Sequence, residues 1–198
     1  MRIIHSMLPI LLLVSPGFSQ EKGNAAPPMD ENTRKWMEAA APNENHKKLG
    51  AFVGSWDAET RFWVDGPGKP PTVTKGTGEV SWAFDGRFIR MDFKGEMIGQ
   101  PMTGIGFNGY DNLNKKYTQF WIDNTATAMF TAEGSFDPSG KVMTLFGKMD
   151  DPLSGEHDKN VKYISRVIDK DKYVFEIHDM GLDEMNSMVA EITYTRKK

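Results

Sequence analysis

Few side chains in this sequence have the types and spacing that catalysis or metal binding requires. Methionine together with histidine can bind Cu(I), and Met180, Met185 and Met188 lie near His178, but a glycine-containing turn separates these methionines. The segment Asp150–Asp158 combines acids with one histidine. It lacks the EF-hand pattern and is typical of a solvated acidic turn. We therefore expect no bound metal.

Signatures of catalysis are also missing. No serine lies in a G-x-S-x-G nucleophile elbow. Strand alternation places Asp57, Glu59 and Arg61 on one outer face, where exposed ion pairs are common and weak. Gly104 and Gly106 lie within a strand pattern that no helix follows, which favours a bend in a barrel over a dinucleotide-binding loop. We expect no catalytic residue and no cofactor, and we favour a protein that is not an enzyme.

The composition narrows the class of protein further. The chain has 198 residues, no cysteine and a formal charge of −3. The lack of cysteine excludes a disulfide scaffold, thiol catalysis and a lipid anchor on cysteine. The slightly acidic charge gives no electrostatic footprint for nucleic acid. A hydrophobic content of 39% is that of an ordinary globular domain with a core of its own.

The N-terminal segment has the features of a secretory signal peptide. Arg2 is followed by an apolar run, Met7–Val14, which is too short to span a bilayer, and Gly17 and Ser19 are small residues at the −3 and −1 positions. Residues 1–19 are therefore a predicted signal peptide, and cleavage would leave no stable membrane anchor. We expect an exported protein, periplasmic or extracellular, in which residues 20–29 form a flexible tether.

The rest of the chain, residues 30–198, is predicted to be one domain. Residues 30–52 have two helical patterns, the first capped by Asp30 and ended by Pro42. Apolar and polar residues then alternate with period two through residues 54–197, with turn residues between the runs. The predicted strands are 56–64, 80–84, 89–93, 102–108, 116–123, 126–136, 141–149, 160–168, 172–179 and 187–196. Because no helix interrupts them, we predict an all-β, antiparallel up-and-down barrel of about eight to ten strands.

Several short motifs in order carry a resemblance to a known family. They are His46-Lys47-Lys48-Leu49, Phe52-x-Gly54-x-Trp56, Gly109-Tyr110-Asp111-Asn112 with Lys116-Tyr117, Trp121-Ile122-Asp123, Gly134 with Phe136-Asp137, Asp151-Pro152 with Ser154-Gly155-Glu156, and Glu191-Ile192-x-Tyr194-Thr195-Arg196-Lys197. The chain resembles a bacterial family of exported barrels, domain of unknown function fifteen-seventy-nine, and more broadly the lipocalin-like (calycin) barrels. The resemblance implies a lipocalin-like barrel and supplies no activity.

The same resemblance implies a structural plug. In lipocalin-like barrels a tryptophan at the start of the first strand closes one end, and a late arginine packs across it. The resemblance gives these roles to Trp56, which follows Gly54, and to Arg196. The nitrobindins, which are haem-binding barrels, share an early G-x-W and a late histidine. Here Asp57-Ala58-Glu59 replaces the second half of their motif, so we expect no haem.

Aromatic residues are the candidates for the barrel interior. They are Trp82, Phe84, Phe93, Tyr110, Trp121, Phe130, Tyr163 and Phe175. A barrel of this size is either filled by such side chains or holds one small ligand. We therefore expect a small apolar or amphipathic ligand in the interior. The alternative is a filled barrel that acts as an interaction module, for example a homodimer. Enzymatic chemistry in the interior is a weaker third hypothesis.

Overall fold

Ten strands form a closed antiparallel barrel in a computed structural model that describes residues 29–66, 68–152, 154–182 and 187–198. Each strand pairs with the next along the chain, and β1 also pairs with β10. The strands are β1 Gly54–Phe62, β2 Thr72–Ala83, β3 Phe88–Met97, β4 Gln100–Asp111, β5 Lys116–Asp123, β6 Phe130–Phe136, β7 Val142–Met149, β8 Lys159–Asp169, β9 Lys172–Asp179 and β10 Met188–Arg196. The predicted up-and-down barrel is confirmed, with ten strands.

The sequence missed one part of this architecture. Strand β2 begins at Thr72, whereas the alternation of apolar and polar residues predicts a strand only from Val80. The first half of β2 has threonine, lysine and the glycines Gly76 and Gly78, so it carries little apolar periodicity of its own. It is a strand because it pairs with β1 along its length. The predicted signal peptide and nearly all of the predicted tether lie outside the described residues.

Two short α-helices and a 3-10 helix precede the barrel. Helix α1 spans Glu31–Ala40, helix α2 spans Glu44–Lys48, and the 3-10 helix spans Leu49–Phe52. The Asp30 carboxylate accepts hydrogen bonds from the backbone N–H groups of Asn32 and Thr33, which caps α1 as predicted. None of the described helices is long and apolar enough to cross a membrane.

Helix α2 is fixed to the barrel by His46. Its Nδ1 accepts a hydrogen bond from the backbone N–H of Asn43, which completes a capping box, and its ring packs edge-on against Tyr110 at 5.6 Å. Burial lowers the pKa of His46, and the nearby charge of Arg87 adds to this effect. The ring therefore packs as a neutral group beneath the barrel.

The 3-10 helix and the first strand close this end of the barrel, which we call the floor. Trp56 is fully buried, and its indole N–H donates to the carbonyl oxygen of Phe52 at 2.8 Å. The guanidinium carbon of Arg196 lies 4.1 Å from the centroid of the Trp56 ring. Arg196 also donates to the carbonyl oxygens of Val53 and Lys170. This is the arrangement that the lipocalin-like resemblance implies.

Gly54 makes room for the arginine. Its φ of 141° lies in a region that side-chain-bearing residues rarely adopt, and an added Cβ would lie 2.0 Å from Nη1 of Arg196. From Trp56 the floor continues as a chain of ring contacts through both helical and strand residues. Its other members are His46, Phe52, Tyr110, Tyr117, Phe136, Tyr173 and Tyr194.

We expect Arg196→Met to lower the free energy of unfolding by about 2 kcal/mol, because it removes the cation–π contact and two hydrogen bonds to carbonyl groups. Urea unfolding followed by circular dichroism measures this loss. The matched control is Lys197→Met, which removes only an exposed ion pair with Glu79 and should change stability by less than about 0.5 kcal/mol. Equal effects of the two substitutions would contradict the plug.

Candidate functional site

Strand alternation places five of the predicted aromatic residues inside the barrel, above the floor, and four of them form two pairs. Phe93 and Trp121 contact one another at 6.4 Å between ring centroids, and Tyr163 stacks on Phe175 at 6.0 Å. Strand β3, which carries Phe93, and strand β8, which carries Tyr163, are five strands apart in a ring of ten. The two aromatic pairs therefore lie on opposite walls.

The ring of Trp121 lies against two glycines instead of crossing the interior. A Cβ added to Gly104 would lie 2.2 Å from the Trp121 ring, and one added to Gly106 would lie 2.9 Å from it. The indole N–H donates to Oδ2 of Asp123 at 2.7 Å, which fixes its orientation along the wall. Gly104 and Gly106 thus provide the surface against which the Trp121 ring packs. The sequence predicted only that these glycines mark a bend in the barrel.

Phe93 rests on the wall in the same way. Cβ atoms added to Gly76 and Gly95 would each lie 2.9 Å or less from its ring. Rings that lie flat on the wall take less of the barrel's cross-section than rings that point across it. Glycine at inward positions therefore lets a wall be aromatic without closing the interior.

Several inward-facing side chains keep accessible surface. In the upper half of the barrel Phe175, Ile177 and Ile192 are half-buried, as are Met91 and Trp121 on the facing wall. The side chains of these residues point into a closed barrel. They keep more accessible surface than Trp56, Tyr173 and Tyr194 of the floor, which indicates that the interior is packed less tightly than the floor.

Two polar side chains lie directly above the floor. Asn108 on β4 and Gln119 on β5 are cross-strand partners, one register step above Tyr110 and Tyr117. Both amides are half-buried, and neither makes a hydrogen bond with any residue that the structure describes. These two residues were not among the predicted interior residues, although they fall on the inward parity of strands that the sequence predicts. Opposed amides here offer both donors and acceptors to the interior.

Tyr163 adds a third polar group to the interior. Its residue is buried, and burial raises the pKa of its phenol, so the hydroxyl is neutral at physiological pH. The remaining uncharged polar residues that face inward above the floor are Thr60, Thr74 and Ser165. Between the floor and the mouth, inward positions of the described strands carry no formal charge.

Charges appear where the strands reach the open end, which we call the mouth. The ammonium of Lys159 contacts carboxylate oxygens of Asp151 at 2.9 Å, Glu156 at 3.1 Å and Asp179 at 2.8 Å. Hydrogen bonds to Asp179 and Asp151 raise the pKa of Lys159, so the ammonium stays charged. These contacts hold the turn after β7 against β9. Asp123 lies at the same end on β5.

Three predicted interior residues lie elsewhere. Tyr110 belongs to the floor, where it contacts His46 and Tyr117. Trp82 lies at the closed end against Gly50 and is partly exposed. Phe84 lies in the turn after β2 and is 70% exposed, so it is outside the barrel, contrary to the expectation. Phe130 faces inward opposite Trp121 near the mouth.

His178 points outward, as the alternation indicates. Its Nε2 lies 3.0 Å from the Glu176 carboxylate and its Nδ1 lies 3.0 Å from Oγ of Ser187. Burial raises the pKa of Glu176, but hydrogen bonds from Arg166 and His178 outweigh it and lower the pKa overall. Ser187 is only 4% exposed. This chain of contacts therefore ties the start of β10 to β9 and gives a substrate no access to the hydroxyl.

Carboxylate and histidine side chains do not cluster as metal ligands in the part of the chain that the structure describes. The acidic turn near Asp150 and the surroundings of His178 include no group of three or more histidine, aspartate or glutamate side chains placed to hold an ion. Met185, one of the methionines considered with His178, lies outside the described residues.

The outer wall carries an aromatic groove of about 620 Å³. Phe88, Phe107, Phe120 and Phe146 line it, and we call it the outer groove. The ring of Phe88 lies across Gly109, where an added Cβ would be 2.4 Å away. Helix α1 does not cover the groove: it has no buried residue, and its Trp36 is 78% exposed.

Comparison with known proteins gives a family and a fold. The family described as "Protein of unknown function (DUF1579)" matches residues 41–196. Among solved structures, the crystal structure of Rv2717c from M. tuberculosis matches with a TM-score of 0.55 and 13% identity, over 80% of this chain and 100% of that chain. A redesigned beta barrel matches with a TM-score of 0.41 and 11% identity, over 76% and 96%. No curated protein matches. The match to Rv2717c shows the fold alone.

We expect Gly104→Ala to destabilise the barrel by about 2 kcal/mol, because the new methyl group would displace the Trp121 ring from the wall. In a Trp121→Leu background, where the ring is absent, the same substitution should cost less than about 0.5 kcal/mol. A double-mutant cycle measured by urea unfolding tests the coupling. Independent, additive effects would show that Gly104 is required for a reason other than the ring.

Proposed function

The chain belongs to the family of proteins of unknown function DUF1579, and from that premise we propose that it binds a small apolar or amphipathic ligand inside the barrel. The observation that carries the proposal is that residues whose side chains point into a closed barrel, such as Phe175 and Ile192, are only half-buried. Walls that are apolar with a few polar groups are typical of small-molecule sites.

The energetics favour an elongated apolar ligand over a polar one. Each methylene group that leaves water for the interior gains roughly 0.8 kcal/mol. The aromatic pairs Phe93–Trp121 and Tyr163–Phe175 offer flat apolar surface on opposite walls for such a chain. The ligand enters through the mouth, since the aromatic floor and the 3-10 helix occupy the other end of the barrel.

A second candidate function is self-association through the outer groove. One observation favours it: helix α1 carries Trp36, Met37 and Ala40 on one face, and the side chains of Trp36 and Met37 are largely exposed. A helix of ten residues is marginal in water without packing, so it needs an apolar surface. We propose that α1 of a second copy fills the outer groove, which is the way amphipathic helices bind apolar grooves.

Export is a further part of the proposal and rests on the sequence alone. We propose that residues 1–19 are a signal peptide and that the mature protein begins at Gln20 in the periplasm or outside the cell. N-terminal sequencing of the protein recovered from the exported fraction tests this start site.

We expect the purified protein to bind one equivalent of Nile red, a neutral apolar dye, with a rise in fluorescence. Ile192→Trp fills the interior and should weaken binding at least tenfold. The matched control is Thr193→Trp, in which the same side chain points out of the barrel from the next residue, and it should leave the affinity unchanged. If Phe146→Ser abolishes binding while Ile192→Trp does not, the dye site is the outer groove and the proposal is wrong.

For self-association, we expect light scattering behind a sizing column to show a dimer. Trp36→Glu and Phe146→Glu should each give a monomer, because a charge placed in an apolar interface is costly to desolvate. Lys35→Glu, which changes the opposite face of α1, should leave the dimer intact. A monomer for the unmodified protein at micromolar concentration would exclude this second function.

A further inference from the structure

The interior of the barrel contains hydrogen-bonding groups without charge. Asn108 and Gln119 lie side by side directly above the floor, and Tyr163 contributes a neutral hydroxyl on another wall. Inward positions of the described strands between floor and mouth carry neither a lysine, an arginine nor a histidine. An anionic group that entered the interior would therefore lose its hydration without meeting a cation.

The nearest candidate cations are already engaged. Arg196 lies across Trp56 in the floor and donates to two carbonyl oxygens. Lys159 at the mouth contacts three carboxylates. Arg196 therefore lies in the floor, below the interior, and the charge of Lys159 is already offset by three carboxylates.

The mouth also disfavours anions. Asp151, Glu156 and Asp179 surround the single charge of Lys159, and Asp123 adds another carboxylate on β5, three strands away from Lys159. These five groups carry four negative charges and one positive charge, and a net negative charge repels an approaching anion without hindering a neutral molecule.

The amide pair indicates what the ligand's polar end is. A primary amide side chain offers two N–H donors and a carbonyl acceptor, so two opposed amides satisfy a group that both donates and accepts. A hydroxyl or an amide fits this requirement. Directly opposed side chains on antiparallel strands lie close enough for one small group to contact both.

We propose, resting on the proposed interior site, that the natural ligand is a neutral amphipath. Its hydroxyl or amide group binds Asn108 and Gln119 at the bottom of the interior, and its apolar chain runs between the aromatic pairs toward the mouth. Fatty acids and other anionic lipids are excluded as ligands in their ionised form.

The test is displacement of Nile red at pH 8 by two probes of equal chain length, dodecan-1-ol and dodecanoate. We expect the alcohol to displace the dye at a concentration at least tenfold lower than the carboxylate. In Gln119→Lys, which places a cation beside Asn108, the preference should fall by at least tenfold or reverse. In Gln119→Met, a neutral change of similar volume, binding of the alcohol should weaken about fivefold more than binding of the dye.

The outcomes separate this inference from the proposed function. If dye binding does not depend on Ile192, the interior site itself is wrong. If the dye binds inside but dodecanoate competes as well as dodecan-1-ol, the interior site stands and the neutral ligand class is overturned. The circular dichroism spectrum of each variant serves as its folding control, and the comparison of the two probes on the unmodified protein decides the matter if Gln119→Lys does not fold.

Discussion

The pairing of β1 with β10 is the constraint on which the rest of this structure depends. It joins the two ends of the barrel sequence, from Trp56 opposite Arg196 to Phe62 opposite Ala190, and it removes the exposed edges that an open ten-stranded sheet would have. Closure also defines an inside. Without it, the alternation along each strand would give two faces of a sheet instead of a floor, an interior and an outer wall. Arg196 reinforces the closure because it binds carbonyl groups both before β1 and before β9.

The interior is shaped as much by missing side chains as by those that are present. A ring of ten strands is wide enough to hold side chains and a small ligand, and this sequence places glycine at inward positions beside its largest rings. Trp121 lies on Gly104 and Gly106, and Phe93 lies on Gly76 and Gly95. In the floor the rings pack against one another instead of against glycine. Trp56, Tyr173 and Tyr194 are in ring contact and leave little accessible surface. One end is therefore sealed while the middle keeps accessible surface.

The charged side chains differ in their surroundings according to where they lie on the barrel. Outward side chains such as Arg61 with Glu59 and Arg90 with Asp92 form exposed pairs, which contribute little to stability. The more shielded ionic groups lie where strands end, around Lys159 at the mouth and around Glu176 on the outside of β9. In both places the ionic contacts hold a turn or a strand end in position. The middle of the interior contains only neutral groups on the described strands. This is the physical basis of the proposed preference for a neutral ligand.

The sequence by itself determined the class of fold, because hydrophobic alternation and turn residues are local signals. It also gave the helix caps, the family resemblance and the inward parity of Phe93, Trp121, Tyr163 and Phe175. It could not give the height of a residue along the barrel axis, which depends on the stagger between strands that pair far apart in sequence. For that reason Tyr110 was expected to line a ligand site and lies in the floor, and Phe84 was expected inside and lies in a turn. The adjacency of Asn108 and Gln119 likewise arises only when β4 and β5 pair in their observed register, since neither residue is distinctive in the sequence alone.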